Sequence, residues 1–379
     1  MDVQTSREKS GRLQSLDAFR GLDMWFITGG AFFLRQLSEL ITGEKGSWLS
    51  VQMTHLKWEG LHVYDFVFPL FLFIAGVSWP FSLAKRRANG ATNGQLALHV
   101  LKRVVTLVVI GLVCRKIQFC QWDDFIFWSV LGRIGLAWGL AAMLFALFRP
   151  KTCRWILLGW FVAWGLILAF VPNPNHADEM VAAGLGPMSA WRYSVFGWIW
   201  PYTSFSRNDG SGLDVLGMVP LVMAGVFAGG WLRRTDASGD RKAALMSLVG
   251  VGLVAFGVLV AFGLGPLSMP IVKKAFSPSY SLITGGTGIA LLAAFYWIID
   301  VKGWVGWSLY FRVIGANAIA IYAAGYFVPF QDIARFFLGT LPKLCARPGF
   351  ELTVVALGAL AVRWVILYFL YKRKIFIKV

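Results

Sequence analysis

The chain has 379 residues, of which 57% are hydrophobic and only 15% charged, with 18 Trp and 31 Phe. A soluble domain carries about 25% charged residues, so an ordinary water-soluble enzyme is excluded and an all-α, polytopic transmembrane bundle is expected. The formal charge of +17 is scattered, with no stretch that interleaves basic and aromatic residues, which argues against a nucleic-acid partner; basic residues of a membrane chain gather in cytoplasmic loops.

Residues 1–15 (MDVQTSREKSGRLQS) show no basic start, short apolar core and small-residue cleavage site, so they read as a cytoplasmic tail and not as a signal peptide. Windows of about 20 apolar residues can cross a bilayer, and ten are predicted. The first, 16–38, opens on SLDAFRGLDMW, where Asp17, Arg20 and Asp23 recur every three residues and share a helical face. Arg20 can pair with either carboxylate, or meet an anionic ligand entering from the cytoplasm.

The second span, 63–84, follows the segment THLKWEGLHVYDF. Asp65 stands at the head of this apolar run, and an intramembrane carboxylate marks a candidate functional site. His55 and His62 are two helical turns apart and Asp65 is three residues beyond His62, so on a continuous helix all three would line one face. Histidine beside a carboxylate is the usual general base, and the spacing leaves the choice between His55 and His62 open. His99 and His176 read as solvated.

Spans three to five are expected at 98–118, 125–148 and 154–172. Arg133 lies well inside the fourth, in FWSVLGRIGLAW; a guanidinium there needs a carboxylate or an anionic ligand, with Asp65 and Asp300 as candidate partners. Residues 173–211 read as an extracytoplasmic loop. Spans six to eight follow at 212–232, 243–264 and 280–300. The eighth opens on PSYSLITGGTG, where Ser279 and the helix N-terminus could hold an anion or a carbonyl oxygen. In the ninth, 308–328, Asn317 is a polar group among small neighbours that permit close helix approach. The tenth is 351–371.

Charges support this count. With the N-terminus inside, Arg7/Lys9/Arg12, Lys85/Arg86/Arg87, Lys102/Arg103, Arg149/Lys151/Arg154, Arg233/Arg234/Arg241/Lys242 and Lys372/Arg373/Lys374/Lys378 all fall on one side, more than half of the 36 basic residues. Both termini are therefore expected in the cytoplasm, with His55 facing outside. The cysteines form no CxxC pair, so no metal site is expected; Cys120 and Cys345 fall in outer loops, where they could pair or remain free.

The segment HLKWEGLHVYDFVFPLFLFIAGVS reads as H-x-x-W-x-G-L-x-x-x-D-x-V-F-P-x-F-x-F-I-x-G. It resembles a signature of the heparan-α-glucosaminide N-acetyltransferase family. SLDAFRGLDM, SVLGRIGLAW, GLDVLGMVPLVMAGVFAGGWLR, PSYSLITGGTGIALL and FRVIGANAIAIY are similar to further family segments in the same order, so the resemblance runs through nearly the whole chain. It implies a single transmembrane domain over 1–379 that takes acetyl from cytoplasmic acetyl-CoA, without a metal, and places it on an amino sugar or glycan across the membrane. By position the catalytic histidine is His55, and Asp65 is expected to fix its tautomer if the fold brings the two together. The signature's Trp58 and Gly60, together with Asp17, Arg20, Arg133, Ser279 and Asn317, are the expected substrate and acetyl-CoA contacts. The family's asparagine eleven residues before the histidine is replaced here by Glu44. The resemblance also implies a bacterial cytoplasmic membrane, contact with membrane lipid and a homodimer. Two other readings stand beside it: an O-acyltransferase of envelope glycans, since SLDAFRGL alone also resembles that broad group, and a transporter of sugars or lipid precursors.

Overall fold

A computed structural model describes residues 13–56, 59–119, 129–170, 214–265, 268–341, 347 and 349–377. Trp58, His176, Cys120, Cys345 and the 173–211 loop lie outside the described residues.

Every regular element among them is helical. In chain order these are α1 Gln14–Trp25, a π-helical segment Phe26–Gly30, α2 Ala31–Thr42, α3 Trp48–Gln52, a 3-10 turn Val63–Phe66, α4 Val67–Ala88, α5 Asn93–Phe119, α6 Val130–Leu147 and α7 Pro150–Phe170. The second half holds α8 Asp214–Leu232, α9 Gly239–Val258, α10 Pro278–Phe295, α11 Leu309–Ala316, α12 Ala318–Phe327, α13 Phe330–Leu338 and α14 Phe350–Lys372. Serine side chains cap three of the starts: Ser129 accepts from the Gly132 amide, Ser238 from Arg241 and Ser277 from Tyr280, each satisfying a donor that the first helical turn leaves open.

Among the described residues eight helices are long and apolar enough to cross a membrane, not ten. The difference is physical: the expected spans 16–38 and 308–328 are each broken. Gly29 sits at φ 125 beside a non-helical Thr28, a backbone conformation open to glycine, and ends the first run at mid-length. Asn317 leaves helical geometry at φ −127, ψ 39. The two broken helices lie against each other at a pair of glycines: a Cβ on Gly21 would fall 1.7 Å from the Phe311 carbonyl oxygen, and one on Gly315 1.9 Å from that of Asp17. Small residues at such crossings let backbones touch, which substitutes in lipid for a hydrophobic driving force.

Burial separates an inner set of helices from an outer one. Within their apolar windows 72% of α8 residues are buried, against 22% for α9; α4, α6 and α10 side with α8, α5 and α7 with α9. The core is continuous through α4, α6, α8 and α10, with Phe73, Trp79, Trp138, Met218 and Tyr280 all under 2% exposed. At one end of the bundle the turns carry Lys85, Arg86 and Arg87, then Arg149, Lys151 and Arg154, then Arg233, Arg234, Arg241 and Lys242. There the Arg103 guanidinium lies 4.2 Å over the Trp138 ring, which packs edge-on to Trp79, itself stacked on His99. At the other end the starts of α4, α6 and α8 and the loop that leads into α10 meet around a cavity.

Candidate active site at the meeting of four helix starts

Apart from the 3-10 turn Val63–Phe66, the described part of the segment between α3 and α4 is not helical. It turns back on itself, and backbone contacts to the 268–277 loop hold it: Glu59 bridges Val272 and the Gly60 amide donates to the Ile271 carbonyl at 2.9 Å. Gly60 takes φ 117, and a Cβ there would come within 2.5 Å of Leu56, so the turn needs glycine. The expectation that His55, His62 and Asp65 share one helix face is therefore replaced by a loop that brings His55 back onto the first turn of the next helix.

Asp65 organises that turn. Its Oδ2 accepts the His62 amide at 3.1 Å and the Leu56 amide at 3.4 Å, while its own amide donates to the His62 carbonyl, the reciprocal pattern of a helix cap. Its Oδ1 lies 2.8 Å from His55 Nδ1 and accepts Lys273 Nζ at 2.9 Å. The Tyr280 hydroxyl donates to the Asp65 carbonyl oxygen at 2.7 Å, tying the turn to α10. The Asp65 side chain is 1% exposed and that of His55 55%, so a buried carboxylate holds an imidazole whose far edge is open. The ring also stacks on Tyr64, centroids 4.5 Å apart.

His62, the alternative base, turns its Nδ1 to the Thr54 carbonyl at 3.0 Å and closes the loop instead. His55 lines the cavity; His62 does not.

Lys273 is the member of this cluster that the sequence reading missed. Burial pushes its ammonium below the usual lysine range, and the Asp65 charge partly offsets this. Its Nζ is 2.8 Å from His55 Nδ1 as well. A signal existed: Lys273 and Lys274 form a basic pair at the end of the bundle away from the basic turns, where the positive-inside pattern leaves few.

The cavity has a volume of about 720 Å³ and reaches from His55, Tyr64 and Lys273 down to Met24, Ile27 and Tyr322, with Phe68, Phe71 and Ile134 on its walls. Arg133 lines it, paired with Asp214 at 3.0 Å across α6 and α8, both side chains nearly buried. Neither expected partner holds it: Asp65 is taken by His55 and Lys273, and Asp300 accepts the Ser15 amide.

The other candidates fall elsewhere. Arg20 bonds Asp17 at 3.2 Å and the Ser78 hydroxyl at 2.9 Å, within the half of the bundle that carries the basic turns; Asp23 is buried with no bond to either oxygen among the described residues. Ser279 is fully buried between Ser277 and the Pro270 carbonyl, and Ser277 occupies the α10 N-terminus. Asn317 donates to the Ile375 carbonyl and accepts the Ile377 amide, clamping the C-terminal strip. None of Asp17, Arg20, Gly60, Ser279 and Asn317 lines the cavity.

The arrangement suits proton abstraction from a nucleophile in an apolar chamber: an oriented imidazole, a carboxylate behind it and two cations nearby. No family model matches the chain. Over 434 aligned positions it is 24% identical to the heparan-α-glucosaminide N-acetyltransferase of Mus musculus, an alignment covering 99% of this chain and 62% of the mouse protein. With the Homo sapiens protein of the same name the identity is 24% over 430 positions, covering 97% of this chain and 60% of that one. The chain thus spans about three-fifths of the length of the curated relatives it matches. Both alignments run through the helices that build the cavity, and the chain is a distant relative of the heparan-α-glucosaminide N-acetyltransferase family.

Proposed function

We propose that this protein is a membrane acetyltransferase that moves an acetyl group from acetyl-CoA to the amine of a sugar, with His55 as the general base. The observation that carries the reading is the His55–Asp65 contact at the mouth of the cavity. With Nδ1–H donated to the Asp65 carboxylate, Nε2 keeps its lone pair and faces the open side; Lys273 then satisfies its charge on the same Oδ1. In the other tautomer Lys273 would donate to Nδ1 and Nε2 could not act as a base.

In the productive arrangement the acceptor nitrogen attacks the thioester carbonyl carbon while Nε2 takes its proton. The C–S bond then breaks, and the departing thiolate recovers a proton from the imidazolium. Charge on the carbonyl oxygen at the tetrahedral stage calls for a preorganised cation. Arg133 lines the chamber, while Asn317 and Ser279 are committed to structural bonds. The mostly apolar walls suit the pantetheine arm and exclude water from the thioester.

Positive-inside asymmetry assigns the basic turns to the cytoplasm and the cavity mouth to the opposite side, and basic turns attract the phosphates of a nucleotide carrier. Donor and acceptor would then enter from opposite faces. The test is acetyl transfer by purified protein from labelled acetyl-CoA to a panel of hexosamines, with H55A and H62A alongside. A positioned general base contributes about 10²–10⁴-fold, so H55A should lose that much in kcat and H62A should not. Equal loss in both variants, or transfer unaffected by H55A, refutes the assignment.

One observation favours a second reading. Two broken helices packed together inside the bundle are a feature of secondary transporters. Uptake of a sugar by reconstituted vesicles with no binding of acetyl-CoA would select it.

A further inference from the structure

Arg363 lies near the middle of α14, thirteen residues from its start at Phe350. A guanidinium at that depth is costly unless paired. Among the described residues it makes no ion pair and no hydrogen bond: its Nε is buried without a partner, and its guanidinium lies over the face of the Phe330 ring, 4.4 Å away. Its Nη1 rests against the helix break, 2.8 Å from where a Cβ on Gly29 would sit, so the missing side chain at Gly29 makes room for it.

Arg363 lines a second cavity of about 570 Å³ together with Thr28, Tyr322, Tyr326 and Gln331, the Thr28 hydroxyl donating to the Met24 carbonyl. Ile27 and Tyr322 are shared with the His55 chamber, and the Tyr322 and Tyr326 hydroxyls lie 2.8 Å apart on this wall. Two compartments of contrasting character therefore adjoin: a mostly apolar one with the imidazole, and a polar one with a half-buried guanidinium that has no ion pair among the described residues. An acyl chain gains nothing from the polar one. A sugar does, because hydroxyls find donors and acceptors there, and the cation is satisfied when the sugar carries an oxyanion.

We propose that the Arg363 cavity binds the anionic group of an acidic amino sugar, phosphate or sulfate, as an acceptor subsite of the adjoining chamber. This rests on the acyltransferase reading for the word acceptor, but the site itself is defined by binding. The structural role open to Arg363 is to brace the break at Gly29 through Phe330, and the test has to separate the two.

The experiment compares wild type with R363Q and R363K in detergent, measuring equilibrium binding of glucosamine 6-phosphate, glucosamine 6-sulfate and neutral glucosamine without acetyl-CoA. Acetyl transfer to the same sugars follows. Wild type should bind the charged sugars at least tenfold more tightly than glucosamine. R363Q should remove that preference, a loss of about ten- to a hundredfold for a charge-assisted contact, and leave glucosamine binding unchanged. R363K should keep part of it. In transfer the loss should appear in KM for the charged sugars and not in kcat. No preference in wild type, or equal weakening for neutral and charged sugars in R363Q, overturns the proposal and leaves the bracing role. Repeating the binding in vesicles of phosphatidylcholine alone and with phosphatidylglycerol tests the other source of an oxyanion. If the anionic lipid abolishes the preference of wild type, the site belongs to a lipid headgroup and the proposal falls. A preference that depends on Arg363 with no acetyl transfer to any sugar supports the anion site and refutes the acyltransferase reading.

Discussion

Replacing Asp65 by Asn tests the centre of the mechanism with a change of one atom. The carboxylate accepts from four donors: His55 and Lys273 on Oδ1, His62 and Leu56 amides on Oδ2. An amide offers one acceptor oxygen, so in either orientation its NH₂ faces two donors. If the oxygen stays with the backbone amides, the NH₂ confronts His55 and can only donate to Nδ1, which forces the proton onto Nε2 and removes the base. A charge-assisted hydrogen bond contributes about 1.5–3 kcal/mol. Two are lost here, but the Lys273 side chain is 21% exposed and water recovers part, so D65N should destabilise by about 2–4 kcal/mol. Activity should fall by the contribution of the base, about 10²–10⁴-fold in kcat. The assay is acetyl transfer with thermal unfolding followed in parallel, and the double variant D65N/K273Q as control. Removing the stranded ammonium should restore most of the stability and none of the kcat. Recovery of activity in the double variant would refute the tautomer argument, since Asp65 would then serve only to neutralise Lys273.

Three further outcomes follow from other parts of the fold. G315A places a methyl 1.9 Å from the Asp17 carbonyl oxygen, where backbone and not a flexible side chain must yield. Overpacking of this kind costs about 1–3 kcal/mol or more, read as a lowered unfolding temperature in detergent; a variant as stable as wild type would show that the α1–α11 crossing is looser than described. R133Q removes the ion pair with the buried Asp214 and should destabilise by about 3–5 kcal/mol, with much of that returned in R133Q/D214N, because breaking a buried pair costs more than deleting it; additive losses would contradict the pairing. Lys273 titrates below the ordinary lysine range through burial. Between that lowered pKa and the unfolded value the unfolded chain binds more protons, so this group's penalty is full at lower pH and is relieved as pH rises. The unfolding temperature of wild type should therefore gain relative to K273Q on going from neutral pH toward the lysine range, and a parallel pH dependence in the two proteins would remove the argument.

Much of this was legible in the sequence. Composition and 20-residue windows determined that the chain is a helical membrane bundle, because lipid leaves the backbone few ways to satisfy itself. The residue pattern from His55 to Gly76 pointed to the candidate site. Charge asymmetry set which turns share an end. The interruptions at Gly29 and Asn317 escaped the windows, since hydropathy averages over a break that costs the run nothing in apolarity. Tertiary structure alone decided the rest. His62 and His55 were equivalent by spacing until the loop folded back on the 268–277 segment and spent His62 on Thr54. Lys273, more than 200 residues from Asp65, reaches it because the Glu59–Val272 and Gly60–Ile271 backbone contacts and the Tyr280 hydroxyl hold its loop and α10 against the start of α4. Arg133 chose Asp214 over Asp65 and Asp300, and Arg363 was left facing a cavity. A window reports what a residue costs in lipid. Which partner offsets that cost is a matter of distances between helices, and those exist only once the bundle has closed.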